Sequence, residues 1–270
     1  MQPRFTFAVV GHNEAATVAH PLGLASEAAE PGDSVWFVDS ASTDDSASVA
    51  AATGADVLAA PLGKGRAMAA AFEQCDTDYL CFLDADFERS ETNIAARLRE
   101  GAVSTRADMV VAEFDEPGRR RTVTPTLYYP LLGALFPDVE PAITVPLSGF
   151  RALRTDLDVT PIPPGYGVET HLNVCVPLLE GTVANQQVGW FRGKLRGYAN
   201  IPQIGADVAG ALLDLAERHG RLDPQRRCEW DAWVGVVLDE LRDQPPDGSD
   251  DGGYVQDLLA LAERPLPPAE

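Results

Sequence analysis

The chain has 270 residues, of which 45% are hydrophobic, enough for one large α/β domain or a domain with an appendage. A formal net charge of −20 and a pI near 4.4 set it against nucleic acid and anionic membrane surfaces, so an anionic substrate would need a local basic pocket or a metal. Cys75, Cys81, Cys175 and Cys228 are scattered without a Cys-x-x-Cys pair, which argues against a zinc site or a disulfide framework.

Residues Met1 to Phe5 lack the basic start and long apolar stretch of a signal peptide, and Leu127 to Phe136, interrupted by Pro130, is too short for a membrane span. The expectation is a cytoplasmic protein without membrane insertion. In chain order, Phe5 to Val10 reads as a strand, Glu14 to Ala29 as a helix and Val35 to Val38 as a second strand. Asp39 to Asp45, rich in Ser, Thr and Asp, caps a helix running to about Thr53. A short strand near Val57 precedes Pro61-Leu62-Gly63-Lys64-Gly65 and a helix to about Cys75. The strand Tyr79 to Leu83, a helix from Thr92 to Gly101 and the strand Met109 to Phe114 follow. This alternation predicts a mostly parallel sheet with helices on both faces.

The second half changes character. Arg119, Arg120 and Arg121 open a basic segment, and Val123 to Phe136 is amphipathic. Leu147 to Leu153 reads as a strand, Gly167 to Leu179 as a helix and Val183 to Phe191 as a strand. Helical patterns then run over Ala206 to His219, Pro224 to Arg242 and Tyr254 to Arg264, with Asp243 to Gly253 as a mobile linker. The divisions expected are 1–115, 116–205 and a helical C-terminal extension 206–270.

The most informative stretch is Tyr79 to Asp86, an apolar strand ending in Asp84-Ala85-Asp86. Strand-end carboxylates lie where open α/β sheets bind ligands, and their hard oxygens suit magnesium or manganese bridging a diphosphate. Taken alone, the triplet is a weak signal, since two aspartates after a strand are usually a solvated turn or a helix cap. Three further stations stand in order with it: Gly11-His12-Asn13-Glu14, Val38-Asp39-Ser40-Ala41-Ser42-Thr43-Asp44 and Gly63-Lys64-Gly65. The last lacks the rest of a Walker A pattern and in isolation is an ordinary turn.

Together these stations resemble the GT-A glycosyltransferases of family 2 type, whose fold is a Rossmann-like nucleotide-diphospho-sugar transferase domain. Pro146-Leu147-Ser148-Gly149-Phe150-Arg151-Ala152 and Gly165-Tyr166-Gly167-Val168-Glu169 are similar to the retaining branch of glucosyl- and mannosyl-3-phosphoglycerate synthases. The resemblance spans roughly Phe5 to Gly205. It implies that Asp86 binds the Mg2+ or Mn2+ directly, with Asp84 at the ribose or the metal's water shell, and that Lys64 reaches the diphosphate. Gly11, Asn13, Glu14, Asp39, Ser40, Leu147 and Gly149 would complete the nucleotide-sugar site. Glu169 would contact the transferred sugar, and Arg119, Arg120, Arg121 and Thr124 would hold the acceptor's anionic groups.

Bland readings stand beside these: Asp39 as a helix cap, Glu169 as a partner of a helix dipole, the arginines as a solvated loop. The family's Arg-x-His strand appears as Arg192-Gly193-Lys194, and a protonated lysine cannot ligate a metal. Arg192 and Lys194 join the expected catalytic set, with Lys194 carrying part of the metal's charge duty or pointing to solvent.

The implied activity moves a sugar from a UDP-sugar to a small anionic acceptor with retention. The rivals are a sugar-1-phosphate nucleotidyltransferase, which expects a Gly-rich, Arg-containing loop after the first strand, and a catalytically impaired nucleotide-sugar binder. Leu212, Leu213, Leu215, Trp230, Trp233, Val237 and Leu241 recur at helical spacing and, with the resemblance, point to a homodimer; packing on their own subunit is the alternative.

Overall fold

Residues 2–115, 122–139, 143–193, 200–242, 256, 259–261 and 263–269 are described by a computed structural model. In its sheet β1 (Phe5–Gly11) is buried along its whole length, Thr6 included, which is why it reads as mostly apolar without alternation. It pairs in parallel with β2 (Ser34–Ser40) and β4 (Tyr79–Asp84), and β2 pairs in parallel with β3 (Asp56–Ala60). The sheet continues past β4 through β7 (Arg151–Arg154), β6 (Met109–Asp115) and β8 (Val183–Gly193) to β5 (Phe87–Ser90). β7 is antiparallel to both neighbours, β6 and β8 are parallel, and β5 is antiparallel to β8.

Alternate side chains of a strand face opposite sides of its sheet. Phe5, Phe7 and Val9 join Phe37, Cys81 and Leu83 in one core with Leu22 and Ala25 of α1 (Ala19–Ala28) and Ile94 and Leu98 of α4 (Ile94–Thr105). Thr6, Ala8 and Val10, of the opposite parity, are buried as well. The helix α3 (Lys64–Gln74) buries Ala67, Met68 and Ala71 and packs on β1, β2 and β3 outside that core. Helices thus cover both faces, as the βα alternation predicts. The short α2 (Ser46–Ala52) lies against β2 and β3.

Several boundaries differ from the sequence reading. The first helix starts at Ala19, not Glu14, because residues 14–18 form turns in which Thr17 N and Val18 N both donate to Glu14 O. Pro21 offers no N–H and crowds the carbonyl four residues back, so it is accommodated only in a helix's first turn. α4 starts at Ile94, with Asn93 accepting a hydrogen bond from Ala96 N at 3.0 Å as its cap. β7 starts at Arg151, not Leu147, since Ser148 N closes a turn onto Val145 O. The polar tetrapeptide Phe87–Ser90 is an edge strand that the pattern did not announce; its pairing with β8 defines it.

The chain divides into two compact units. One comprises Met1–Gly118, Pro141–Pro164 and Cys175–Lys194 and holds the sheet; the other comprises Arg119–Glu140, Gly165–Val174 and Leu195–Glu270. In the second, a π-helical turn at Thr124–Tyr128 leads into α5 (Tyr129–Leu135). α7 (Ile201–Arg218) starts five residues before the Ala206 expected and packs with α5 and α8 (Arg227–Arg242). α6 (Val168–Leu178) contributes its first residues to this unit and the rest to the sheet-bearing one.

Leu212, Leu213, Leu215, Trp230, Trp233, Val237 and Leu241 are all buried within this single chain. The apolar stripes read as a dimer face are therefore internal core: α7 and α8 cover each other's stripes. The C-terminal residues close over them, with Trp230 Nε1 donating to Pro268 O at 3.3 Å and Arg264 lying over the Trp233 ring. Of the helix expected over Tyr254 to Arg264, residues 256 and 259–261 are helical and 263–264 are not, while residues 254, 255, 257, 258 and 262 and the linker before them lie outside the described residues. Among the described residues no helix is long and apolar enough to cross a membrane.

Candidate functional site

The parallel register brings the four stations to one edge of the sheet. Gly11 pairs with Asp39, Val10 with Asp84, and Ser40 with Ala60, so the ends of β3, β2, β1 and β4 lie side by side. Ligands of open α/β sheets bind outside this carboxyl edge. No feature of the individual motifs announces the alignment; it follows from pairing distant strands.

The turns after β1 and β2 are bonded to each other. Asn13 adopts a left-handed backbone (φ 57°), and its Oδ1 accepts from Thr43 N at 2.7 Å and Asp44 N at 3.3 Å. Asn13 N donates to Ser42 Oγ and Glu14 N to Ser46 Oγ, at 2.9 and 2.7 Å. Asp39 Oδ1 accepts from Ser42 N at 3.0 Å, across Ala41, a second left-handed non-glycine residue (φ 55°). Backbone of this kind persists only where surrounding contacts hold it, and it gathers at binding sites. His12 Nδ1 lies 2.8 Å from Ser40 O and its Nε2 faces the Asn13 amide nitrogen, which places the ring proton on Nδ1. Glu14 is buried, and its carboxylate accepts from Thr17 Oγ1 at 3.0 Å. The polar groups of Asn13 and Glu14 named here thus hold the turn, and Gly11 is packed so close to Ala85 that a Cβ would fall 2.6 Å from it.

The third station is built around Ser40. Its buried Oγ accepts from Gly63 N at 2.9 Å and donates toward Pro61 O or Gly63 O. Gly63 has φ 131°, open to glycine alone, and both Gly63 and Gly65 press against the carbonyls of Pro163 and Pro164 with no room for a Cβ. Lys64 is the first residue of α3, and its Nζ meets Asp84 Oδ1 at 2.8 Å. A lysine at the positive end of a helix dipole is intrinsically unfavourable. The pairing with Asp84 offsets that cost and fixes the Lys64 ammonium at the helix start, in a chain of net charge −20.

Asp84 ends β4 and Asp86 precedes Phe87, which pairs with Gly193 beside the exposed Arg192 on β8. Gly149 abuts Asp84 directly: a Cβ there would strike the carboxylate, with Asp84 Cγ 2.6 Å away. Leu147 is half-buried on the same short loop. The structure therefore brings together Gly11, Asp39, Ser40, Lys64, Asp84 and Gly149, with Asp86 and Leu147 adjacent in the chain. Ser46, Pro163 and Pro164 support them and were not among the motifs, whereas Ser42 and Arg151 stand inside motifs that carry the resemblance. Among the described residues no group of three or more His, Cys, Asp and Glu side chains is arranged to hold a metal ion.

In the second unit Glu169 is buried in the first turn of α6, and Thr124, also buried, opens the π-helical turn. The glycine-rich turn before Glu169 is held by Asp207, whose Oδ2 accepts from Tyr166 N at 2.7 Å and whose backbone packs on Gly167. Arg119, Arg120, Arg121 and Lys194 lie outside the described residues.

The sequence profile described as glycosyl transferase family 2 matches residues 6–156 of this chain. No curated protein matches significantly. Among solved structures, glucosyl-3-phosphoglycerate synthase from Mycobacterium tuberculosis in complex with Mn2+, uridine diphosphate and phosphoglyceric acid is 25% identical, with a TM-score of 0.70 over 79% of this chain and 78% of that one. The complex of the same synthase with Mg2+ and uridine diphosphate is 26% identical, with a TM-score of 0.69 over 78% and 79% of the two chains. Mannosyl-3-phosphoglycerate synthase from Rubrobacter xylanophilus, at 24% identity, shares the fold with a TM-score of 0.74 over 82% of this chain and 76% of that one.

Proposed function

The chain belongs to glycosyl transferase family 2, and from that premise we propose that it transfers a sugar from a UDP-sugar to a small phosphorylated hydroxy acid of the phosphoglycerate type, with retention of anomeric configuration. The observation that carries this reading is the Lys64–Asp84 pair at 2.8 Å, set at the start of α3 and at the carboxyl edge of the sheet. Leaving-group departure puts negative charge on a nucleoside diphosphate, and a fixed cation at a helix N-terminus stabilises such charge.

The residues fit a divalent cation by their chemistry. Asp84 and Asp86 offer only hard carboxylate oxygens at one strand end, which suits Mg2+ or Mn2+, and two such ligands leave the remaining positions to diphosphate and water. When bound, the cation neutralises charge on the diphosphate. The Gly11 and Asp39 edge accommodates the nucleoside, Lys64 holds the diphosphate, and Gly149 with Leu147 borders the sugar. Glu169 orients the sugar hydroxyls, and Thr124 with Arg119, Arg120 and Arg121 receives the acceptor; Arg192 and Lys194 add positive charge. The sugar's anomeric carbon loses its bond to the diphosphate oxygen and gains one to the acceptor oxygen, and the acceptor's proton passes to the departing diphosphate. In this assignment 1–115 binds the nucleotide-sugar, 116–205 binds the acceptor and adds Leu147, Gly149 and Glu169 to the donor's sugar, and 206–270 is the helical extension.

The test is turnover of UDP- and GDP-sugars with 3-phosphoglycerate and Mn2+, with the product's anomeric configuration read by NMR. Transfer from a UDP-sugar with retention is expected. Release of no nucleoside diphosphate from any donor would overturn the proposal. Lys194→Ala should make the rate more dependent on added metal; unchanged rate and metal dependence would assign Lys194 to the surface.

A further inference from the structure

Arg151 is fully buried at the start of β7, in the middle of the sheet, where it pairs with Phe82 on β4 and Val111 on β6. A buried cation must have its donors satisfied. Arg151 Nε and Nη2 both donate to the Ser148 carbonyl, at 3.2 and 2.5 Å, and Nη1 lies 3.8 Å from Met109 Sδ. Two N–H groups of one planar guanidinium on the same carbonyl fix that peptide's direction as a lysine or an aliphatic chain does not. The next residue is Gly149, whose backbone abuts the Asp84 carboxylate, and Asp84 in turn meets Lys64.

We propose that Arg151 is a positioning residue of the donor site, acting through the Ser148 carbonyl and Gly149 on the place of the Asp84 carboxylate. The inference rests on the proposed donor reading. A well-packed apolar side chain commonly stabilises an interior as well as a buried ionic group does. What the guanidinium supplies at this position is the direction of the 146–150 loop. The contact is close enough for direction to matter: any side chain at 149 would collide with Asp84. Arg151 touches no substrate in this scheme. It sets where Asp84 and Lys64 stand.

The experiment is calorimetric titration of UDP and GDP, each with Mn2+, into wild type, Arg151→Met, Arg151→Lys, Gly149→Ala and the Arg151→Met/Gly149→Ala double variant, well below each melting temperature. Wild type is expected to bind one nucleotide. Arg151→Met should bind it about tenfold more weakly or worse, with Arg151→Lys between the two. Gly149→Ala should weaken binding similarly, and the double variant should be no weaker than its worse parent because both changes act on one contact. Wild-type affinity in Arg151→Met, or strictly additive losses in the double variant, would overturn the inference and leave Arg151 a packing residue. If Arg151→Met does not fold, wild-type affinity in both Arg151→Lys and Gly149→Ala overturns it. If wild type binds neither nucleotide, the donor reading fails first and this inference goes with it.

Discussion

Asp86 and Ser40 show how differently two residues of one site can be read. Asp86 stands at a strand end, half-exposed, where a carboxylate contributes little to a core. Asp86→Ala should therefore abolish sugar transfer with a melting temperature within a degree or two of wild type; full activity would reduce the Asp84-Ala85-Asp86 motif to a turn. Ser40 read in the sequence as a nucleoside contact, yet its Oγ is committed to the Lys64-bearing turn through Gly63 N. Ser40→Ala leaves that amide without its acceptor, at a cost of about 1–3 kcal/mol. We expect donor affinity to fall about tenfold, each 1.4 kcal/mol being a factor of ten. Titration of nucleotide into Ser40→Ala checks this, and an unchanged dissociation constant would separate Ser40 from the positioning of Lys64.

At the scale of elements, the start of α3 and the end of α7 are each held by close contacts with distant loops. Gly65 lies against the Pro163 carbonyl with no space for a side chain. Gly65→Ala must push the 161–164 segment away, and overpacking of this kind costs about 1–3 kcal/mol. Denaturant unfolding should show that loss, and donor binding should weaken along with it. In the helical unit Arg221, just beyond α7, pairs with Asp138 and lies over the Phe136 ring. Hydrogen bonding to Arg221 holds the Asp138 carboxyl down at about 2, against 3.8 for an ordinary aspartate. A carboxylate whose folded value is depressed stabilises the fold above its unfolded value and loses that contribution as pH falls toward the folded one. The pair's contribution is thus intact above about pH 4 and lost between there and about pH 2. Arg221→Met should lower the melting temperature at pH 7, where the pair is intact, by more than at pH 2, where it is largely lost, so that the pH dependence of stability between these values flattens; thermal melts at pH 2 and pH 7 would show this.

For the whole molecule, donor binding should appear as stabilisation by mass action. At a hundredfold excess of nucleotide over its dissociation constant the gain is about 2.7 kcal/mol. For a chain of this size that is a rise of roughly 5–10 °C in melting temperature. UDP with Mn2+ is expected to give the larger shift and GDP the smaller; no shift with either at millimolar concentration would remove the basis of the donor assignment. The acidity of the chain makes the same point from another side. With a net charge of −20, anionic ligands are repelled everywhere except where lysine and arginine are locally held.

The βα alternation, the buried central strand and the four motifs were legible in the residues, because local periodicity and strand-end chemistry are local properties. Phe5 to Val10 and Tyr79 to Leu83 could hardly be anything but interior strands. Asp84-Ala85-Asp86 read as carboxylates at a strand end and Gly63-Lys64-Gly65 as a turn with a charge on it. What these letters did not contain is adjacency. That Gly11, Asp39 and Asp84 end in register, that Ser40 holds Gly63, and that Gly149 touches Asp84 depend on pairing strands dozens of residues apart. The same holds for the polar edge strand Phe87–Ser90, which exists only because β8 pairs with it, and for the α7 and α8 stripes. Their periodicity shows an apolar face but not what covers it. The partner was the neighbouring helix of the same chain, a choice made by packing rather than by pattern.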